Sequence, residues 1–376
     1  LIAILLFLRQ MKKHYKHVRK LPILQKAFPT QFFYSNQTYS ESVLSTVAGI
    51  IGSIGGGTST STYNVMATIE NCTNSGKVQF GNITFGGRVD MAGICALNGS
   101  YSIGTKISGC VNKGTVVFDA VCASTSKEIS FGGIIGTAQA TALIIDCTNE
   151  AEILSNGASK SNYELGGIAG SSSGTGVEII NCVNKSAVTM SRASGGTTQI
   201  GGIIGYAYTY GAIRGCANYG TVTCNEKPNF PSNTGNCGGV VGEAWSSGVL
   251  IVGSANHGNI YANTSLHGLG GIAGVVGYDP HKAFDGVDEH NGVVIGCANT
   301  GRVENTSTSC DIGGIVGWLE EGDEDKGDAS VLGSYNKGEI PTAGKKDKYY
   351  RGGIVGYVDR HAEIRYCLSF LEPSYD

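Results

Sequence analysis

Gly201-Gly202-Ile203-Ile204-Gly205, followed after a short run by Cys216-Ala217-Asn218-Tyr219-Gly220-Thr221-Val222-Thr223, is the stretch that decides the fold, because the chain repeats it. The block of two glycines, two apolar residues and a glycine returns at Gly132, Gly166, Gly238, Gly270, Gly313 and Gly352, and in weaker form at Ala48 and Ala92. Behind each block comes an apolar run and then Cys72, Cys110, Cys147, Cys182, Cys216, Ser254, Cys297, Ser334 or Cys367. Two residues further on stands an asparagine in eight of the nine copies, Asn74, Asn112, Asn149, Asn184, Asn218, Asn256, Asn299 and Asn336. A period of about 35 to 40 residues marks a stacked array, in which one repeat cannot bury its apolar face alone.

Inside a repeat the apolar runs are short, rich in Ile and Val, and separated by Gly, Asn, Ser and Thr, which are strand and turn signals. Frequent glycine and β-branched residues weaken helix, and no stretch of the repeats sustains a 3.6-residue apolar period. The expected fold is all-β: a parallel β-solenoid of about nine coils, three short strands per coil, rising about 4.8 Å per coil. In that geometry a Gly-Gly pair, free to take positive φ, opens a strand after a sharp corner. The small Cys fills an inward position, and stacked Asn side chains hydrogen-bond from coil to coil. Cys72, Cys110, Cys147, Cys182, Cys216, Cys297 and Cys367, with the asparagines from Asn112 to Asn336, are therefore read as a structural ladder of reduced, buried thiols and amides. Cys224 and Cys237, which flank a long corner containing Pro228 and Pro231, form the best disulfide pair.

The pattern resembles the GLUG repeat of bacterial surface and secreted proteins, including adhesin-like proteins and some IgA-cleaving proteases in which the copies lie outside the catalytic part. The matching residues are blocks such as Ile312-Gly313-Gly314-Ile315-Val316-Gly317 followed by Ser334-Tyr335-Asn336-Lys337-Gly338-Glu339-Ile340. The resemblance covers roughly residues 45 to 370. Departures are Ser254 and Ser334 in place of Cys, the degenerate first two blocks, and Ser369 where the last Asn is expected. The resemblance implies a bacterial, extracellular or cell-surface setting and an architecture rather than an activity.

The chain has 376 residues, 58 glycines, 7 prolines and a formal charge of -3. Residues 1 to 40 read as a basic, poorly ordered segment or truncated leader, and residues 41 to 376 as the repeat domain. Because residues 1 to 26 are basic and carry no acid, the repeats are net acidic, which argues against nucleic-acid partners. The N-terminal apolar octet is too short to span a bilayer, and no span is expected in the repeats.

Two features could carry binding. The segments from Gly270 to Cys297 and from Gly313 to Ser334 are longer than in the five other strong copies, so neighbouring coils bulge at one corner near residues 278 to 328. These loops concentrate carboxylates, and Asp323, Asp325 and Asp328, with Asp285 and Asp288, are the candidate ligands for calcium. Also in that corner, His281 and His290 with Asp285 offer a transition-metal or acid-base alternative. The second feature is aromatic. Tyr206, Trp318 and Tyr357 share one repeat position, with Tyr208, Tyr210 and Trp245 slightly further on, and such a row suits either corner packing or stacking against sugar rings.

No nucleophile elbow, zinc-binding helix or phosphate loop occurs, so no catalytic residue is assigned. The expected role is a non-enzymatic extended scaffold, a monomer or part of a larger chain, acting in adhesion or as a spacer toward a host or cell-surface protein or glycan. The alternative is a carbohydrate-binding or carbohydrate-cleaving β-helix protein using the acidic and aromatic corner.

Overall fold

A computed structural model describes residues 44–370 apart from 55–66, 100–103, 123–127, 158–161, 192–195, 209–210, 226–234, 246–247, 278–291, 308–309, 321–328, 342–349 and 361. The described residues form a β-solenoid without helix, built from five parallel sheets. Each of the first seven coils contributes one strand to each sheet in turn, and among the described residues the last two coils contribute to the first four sheets only. In the coil that begins at Thr198 the strands are Thr198–Gly201, Ile204–Tyr208, Gly211–Arg214, Ala217–Asn218 and Val222–Cys224. The first four sheets have nine strands and the fifth has seven. No described helix is long and apolar enough to cross a membrane.

Five strands per coil, not three, is a correction with a clear cause. The Gly-Gly block does not open a strand; it splits one. Its first glycine ends a strand of sheet one, the second glycine and the next residue make the corner, and sheet two begins immediately after, as in Gly201, Gly202-Ile203 and Ile204. Nor do the block glycines take positive φ. They are required by crowding: a Cβ on Gly202 would collide with the Gly239 carbonyl and the Asn218 side chain.

Positive φ belongs to the residue before the Cys or Ser of each ladder. Asn71, Gly109, Asp146, Asn181, Gly215, Gly253, Gly296, Gly333 and Tyr366 all lie there, with φ between 52° and 60°. The choice of Gly, Asn or Asp in eight of these nine follows from the steric cost that the left-handed region imposes on other side chains.

The interior divides into two apolar columns. One is lined by sheets two and three and by the Cys ladder, with Ile107, Ile168, Ile203 and Ile251 in its core. The other is lined by sheets five and one, where Phe118 stacks between Phe80 and Phe131 at centroid distances of 5.9 and 5.8 Å. Between them the second block glycine of each coil meets the Asn of the same coil, Gly167 with Asn184 and Gly239 with Asn256. This pinch is why the two signatures recur together.

The Asn ladder is continuous. Each Nδ2 donates to the Oδ1 of the next coil at 2.8 or 2.9 Å, from Asn74 through Asn112, Asn149, Asn184, Asn218, Asn256 and Asn299 to Asn336. The same amides also bond their own corner, as where Asn218 Nδ2 donates to the Gly220 carbonyl at 2.8 Å. These asparagines occupy strand positions, so the stacking expected of them is present and left-handed backbone is not.

The cysteines behave as a column of small donors. Cys147 Sγ donates to the Ile107 carbonyl at 3.6 Å and Cys182 Sγ to that of Ile144 at 3.5 Å. Ser254 Oγ makes the equivalent bond to Ile213 at 3.5 Å and additionally accepts from the Cys216 amide at 3.2 Å, which explains why Ser can replace Cys. Eleven of the twelve cysteines are buried and all are thiols; Cys224 and Cys237 both lie in the second apolar column, so the expected disulfide is not formed. Each ends on its own strand as an apolar packing residue.

Candidate functional site

Sheets three, four and five alternate buried and partly exposed residues, the signature of one face on the core and one in water. Their outer faces carry ion pairs from coil to coil, such as Lys106 to Glu70 at 3.0 Å and Lys185 to Glu150 at 3.1 Å. Sheets one and two differ: strands such as Thr198–Gly201 and Ile135–Ala138 are buried throughout. The reason is the sharp corner between them. It folds sheet two back so that its outer face confronts that of sheet one, and the last glycine of each block sits at the seam, where a Cβ on Gly205 would lie 2.5 Å from the Leu165 amide nitrogen.

The two confronting faces make a polar seam along the solenoid. Sheet one contributes Asp90, Ser130, Glu164, Gln199 and Asn236 in direct register, and sheet two contributes Thr137, Ser171, Tyr206 and Glu243. Thr137 Oγ1 donates to Asp90 at 2.5 Å, Ser171 Oγ to Ser130 at 3.3 Å, and Ser130 to Glu164. Gln199 Nε2 and Asn236 Nδ2 both donate to Glu243 Oε2, at 3.0 and 2.6 Å. Arg88 pairs with Asp90 and Glu128, each at 3.1 Å, near the N-terminal end.

Burial dominates the electrostatics of this seam. It raises the carboxyl of Asp90 despite Arg88, and that of Glu243 despite its two amide donors. Burial, aided by the nearby Glu128, pushes Glu164 up to about 7. Tyr206 is likewise raised by burial and by Glu243. Most of these buried polar groups satisfy one another across the corner, which makes their burial tolerable, while Gln199 Oε1 has no partner.

Toward the C-terminal half the seam opens into a cavity of about 220 Å3 lined by Asn236, Glu243, Trp245, His267, Val275 and Trp318, with Thr197 and Glu320 at its margins. Its origin lies in the middle of three consecutive coils. There sheet one carries Gly268 where its neighbours carry Asn236 and Asp311, and sheet two carries Val275 between Glu243 and Trp318. The small Val275 leaves a pit one coil deep, whereas the Cβ site of Gly268 is filled by the Gly274 carbonyl, 2.1 Å away. Burial holds the His267 imidazole below its ordinary value against the opposing pull of Asp311, and its ring lies 5.2 Å from that of Trp318.

The aromatic residues named from sequence are only partly brought together. Tyr206, Trp318 and Tyr357 do share a register, but Glu243 and Val275 separate Tyr206 from Trp318. Tyr206 stacks on Tyr208 at 5.7 Å, Trp318 meets Tyr357 edge-on at 5.5 Å, and Tyr208 is in register with Trp245. All five are half-buried, so they form two clusters on either side of the pit rather than one exposed row. Tyr210 lies outside the described residues, as do Asp285, Asp288, Asp323, Asp325 and Asp328, together with His281, His290 and the segment from 1 to 43. Among the described residues no group of three His, Cys, Asp or Glu is placed to hold a metal ion.

Sequence reading missed the seam. Its signal was a polar residue two positions before the block, seen at Thr46, Asp90, Ser130, Glu164, Gln199, Asn236 and Asp311. The residue type changes at almost every coil, which hides the column from any search for a fixed motif. Comparison with protein-family models, with curated proteins and with solved structures finds no match to this chain.

Proposed function

We propose that the chain is a non-enzymatic, extended scaffold of a surface or secreted protein, of the kind the GLUG resemblance implies, acting in adhesion or as a spacer through many weak contacts. The observation that carries this reading is the unbroken Asn ladder, which ties every coil from Asn74 to Asn336 to the next through buried amides. Such a column, added to five in-register sheets, favours a stiff rod over a chain of independent modules. Nine strands at about 4.8 Å per step extend about 4 nm. A stiff rod presents its corners at fixed spacing, so contacts at several corners act together.

The test compares monovalent and multivalent display of the full chain on beads, scored for retention on glycoprotein-coated and cell-derived surfaces under flow. Retention that climbs steeply with valency supports the reading. Retention no better than that of bare beads at any valency leaves only a spacer, and turnover of a surface component would remove the non-enzymatic part.

A second reading, carbohydrate binding, is favoured by one observation: the seam aromatics Trp245 and Trp318 line the same cavity as Glu243 and Asn236.

A further inference from the structure

We infer that the pit between Trp245 and Trp318 is a binding site for one neutral sugar ring. The inference rests on the carbohydrate reading and moves the site from the acidic corner to the polar seam.

The shape argues first. Sheet two places Glu243, Val275 and Trp318 in one column over three coils, and Val276 beside Ala244 brings Gly277 next to Trp245. Gly277 is in turn crowded by Glu320, and its nearest Trp245 atom is Cε3, at 3.3 Å from an added Cβ. The middle coil thus offers Val275 as the floor, with Glu320 closed over Gly277, while larger side chains rise from the coil on each side. Two coil steps separate the walls by about 10 Å, which leaves a slot about one pyranose ring thick.

The chemistry argues second. A Trp face gives flat apolar area for the C–H face of a sugar, and carboxylate and amide groups at the margin accept and donate to its hydroxyls. Glu243 is more than nine-tenths buried and lines the pit. Trp318 Nε1 is itself fully buried, so Trp318 offers the pit its ring and not its N–H. The polar groups left for a ligand are those of Glu243 and Asn236, which suit sugar hydroxyls. A simple ammonium cation would suit the indole faces but finds Glu243 Oε2 already held by two amide donors, Gln199 and Asn236.

The same residues supply the assay, since Trp245 and Trp318 are the two tryptophans of the chain. Tryptophan emission of the full chain would be titrated with methyl glycosides of glucose, galactose, mannose and N-acetylglucosamine, and with tetramethylammonium as the cationic probe. Oligosaccharides carrying the responding sugar at a terminal or an internal position would separate a glycan end from a polysaccharide backbone as the source. The expected result is a saturable emission shift with at least one glycoside and none with tetramethylammonium. Val275→Tyr should abolish it by filling the slot, and the substitution suits the strand because Tyr206, Trp318 and Tyr357 occupy the same register. Trp318→Ala, which removes the stacking ring, should weaken binding about tenfold or more. No saturable shift with any glycoside, a shift unchanged in Val275→Tyr, or saturation by tetramethylammonium alone would each overturn the proposal. None of these results bears on retention under flow, so the scaffold reading is judged separately.

Discussion

A Cβ on Gly202 would come to 2.5 Å from Asn218 Nδ2, so the corner of the glycine block and the Asn of the ladder occupy one space inside each coil. The contact joins the two signatures of the repeat. It also places a hydrogen-bonded amide column between two apolar columns, where every displaced group is costly.

Substitution at this pinch is therefore expected to be severe. Asn218→Ala strands the Asn184 donor and the Asn256 acceptor and should cost about 2–4 kcal/mol in denaturant unfolding. Gly202→Ala should cost at least as much, because the added methyl meets the Gly239 carbonyl as well as Asn218. At the ladder end, where Asn336 has an Asn partner on one side only, Asn299, Asn336→Ala should cost clearly less. Equal losses at 218 and 336 would contradict a cooperative ladder.

Exchange of Cys and Ser in the thiol column should be mild. Ser254 already makes the carbonyl bond of its cysteine neighbours, so Cys216→Ser is expected to change stability by less than about 1.5 kcal/mol. Cys216→Leu overpacks the column and should cost more. The thiols should also resist modification: burial pushes Cys297 up to about 11 and Cys310 up to about 12. A thiol reagent at pH 8 should label half-buried Cys367 first and the rest only on unfolding. Rapid labelling of several thiols in the folded protein would refute the packing.

Stability should fall with rising pH in a defined window. Glu164 has its carboxyl raised to about 7 from an ordinary 4.5, so the folded state holds a proton that the unfolded chain releases earlier. The resulting stability is fully present below pH 4.5, declines as pH rises toward 7 and is flat beyond, a loss of at most about 3 kcal/mol. Asp90 and Glu243 are shifted in the same direction. Arg88 and Glu128 also act on Glu164, and Ser130 donates to it. Glu164→Gln should flatten part of the decline, with its gain seen at pH 8 rather than pH 4. Melts with identical pH profiles for both proteins would remove Glu164 as the cause.

The last coil carries an avoidable strain. Tyr366 occupies the left-handed position at φ 56° that Gly, Asn and Asp fill in the other coils, and its side chain is 88% exposed. Tyr366→Gly should stabilise by about 1 kcal/mol, read as slower amide exchange in the strand Ala362–Arg365. Faster exchange there would mean that the Tyr side chain contributes more than its backbone costs.

The sequence alone determined the stacking. Parallel, in-register strands put like residue on like, so Cys147 stands over Cys110 and Asn149 over Asn112, and a column in space becomes a period in the chain. The same physics made the β-only character and the buried thiols legible. What the tertiary structure alone decided is the seam. Whether the strand before the block and the strand after it point away from each other or fold face to face depends on the corner at Gly202-Ile203, whose angle no spacing records. Once that corner closes, Glu164, Gln199 and Glu243 become buried partners instead of surface groups, and the gap above the small Val275 becomes a cavity between Trp245 and Trp318. A column of unlike polar residues satisfies itself by contacts across sheets, and such contacts leave a recurring polar position but no fixed residue in the sequence.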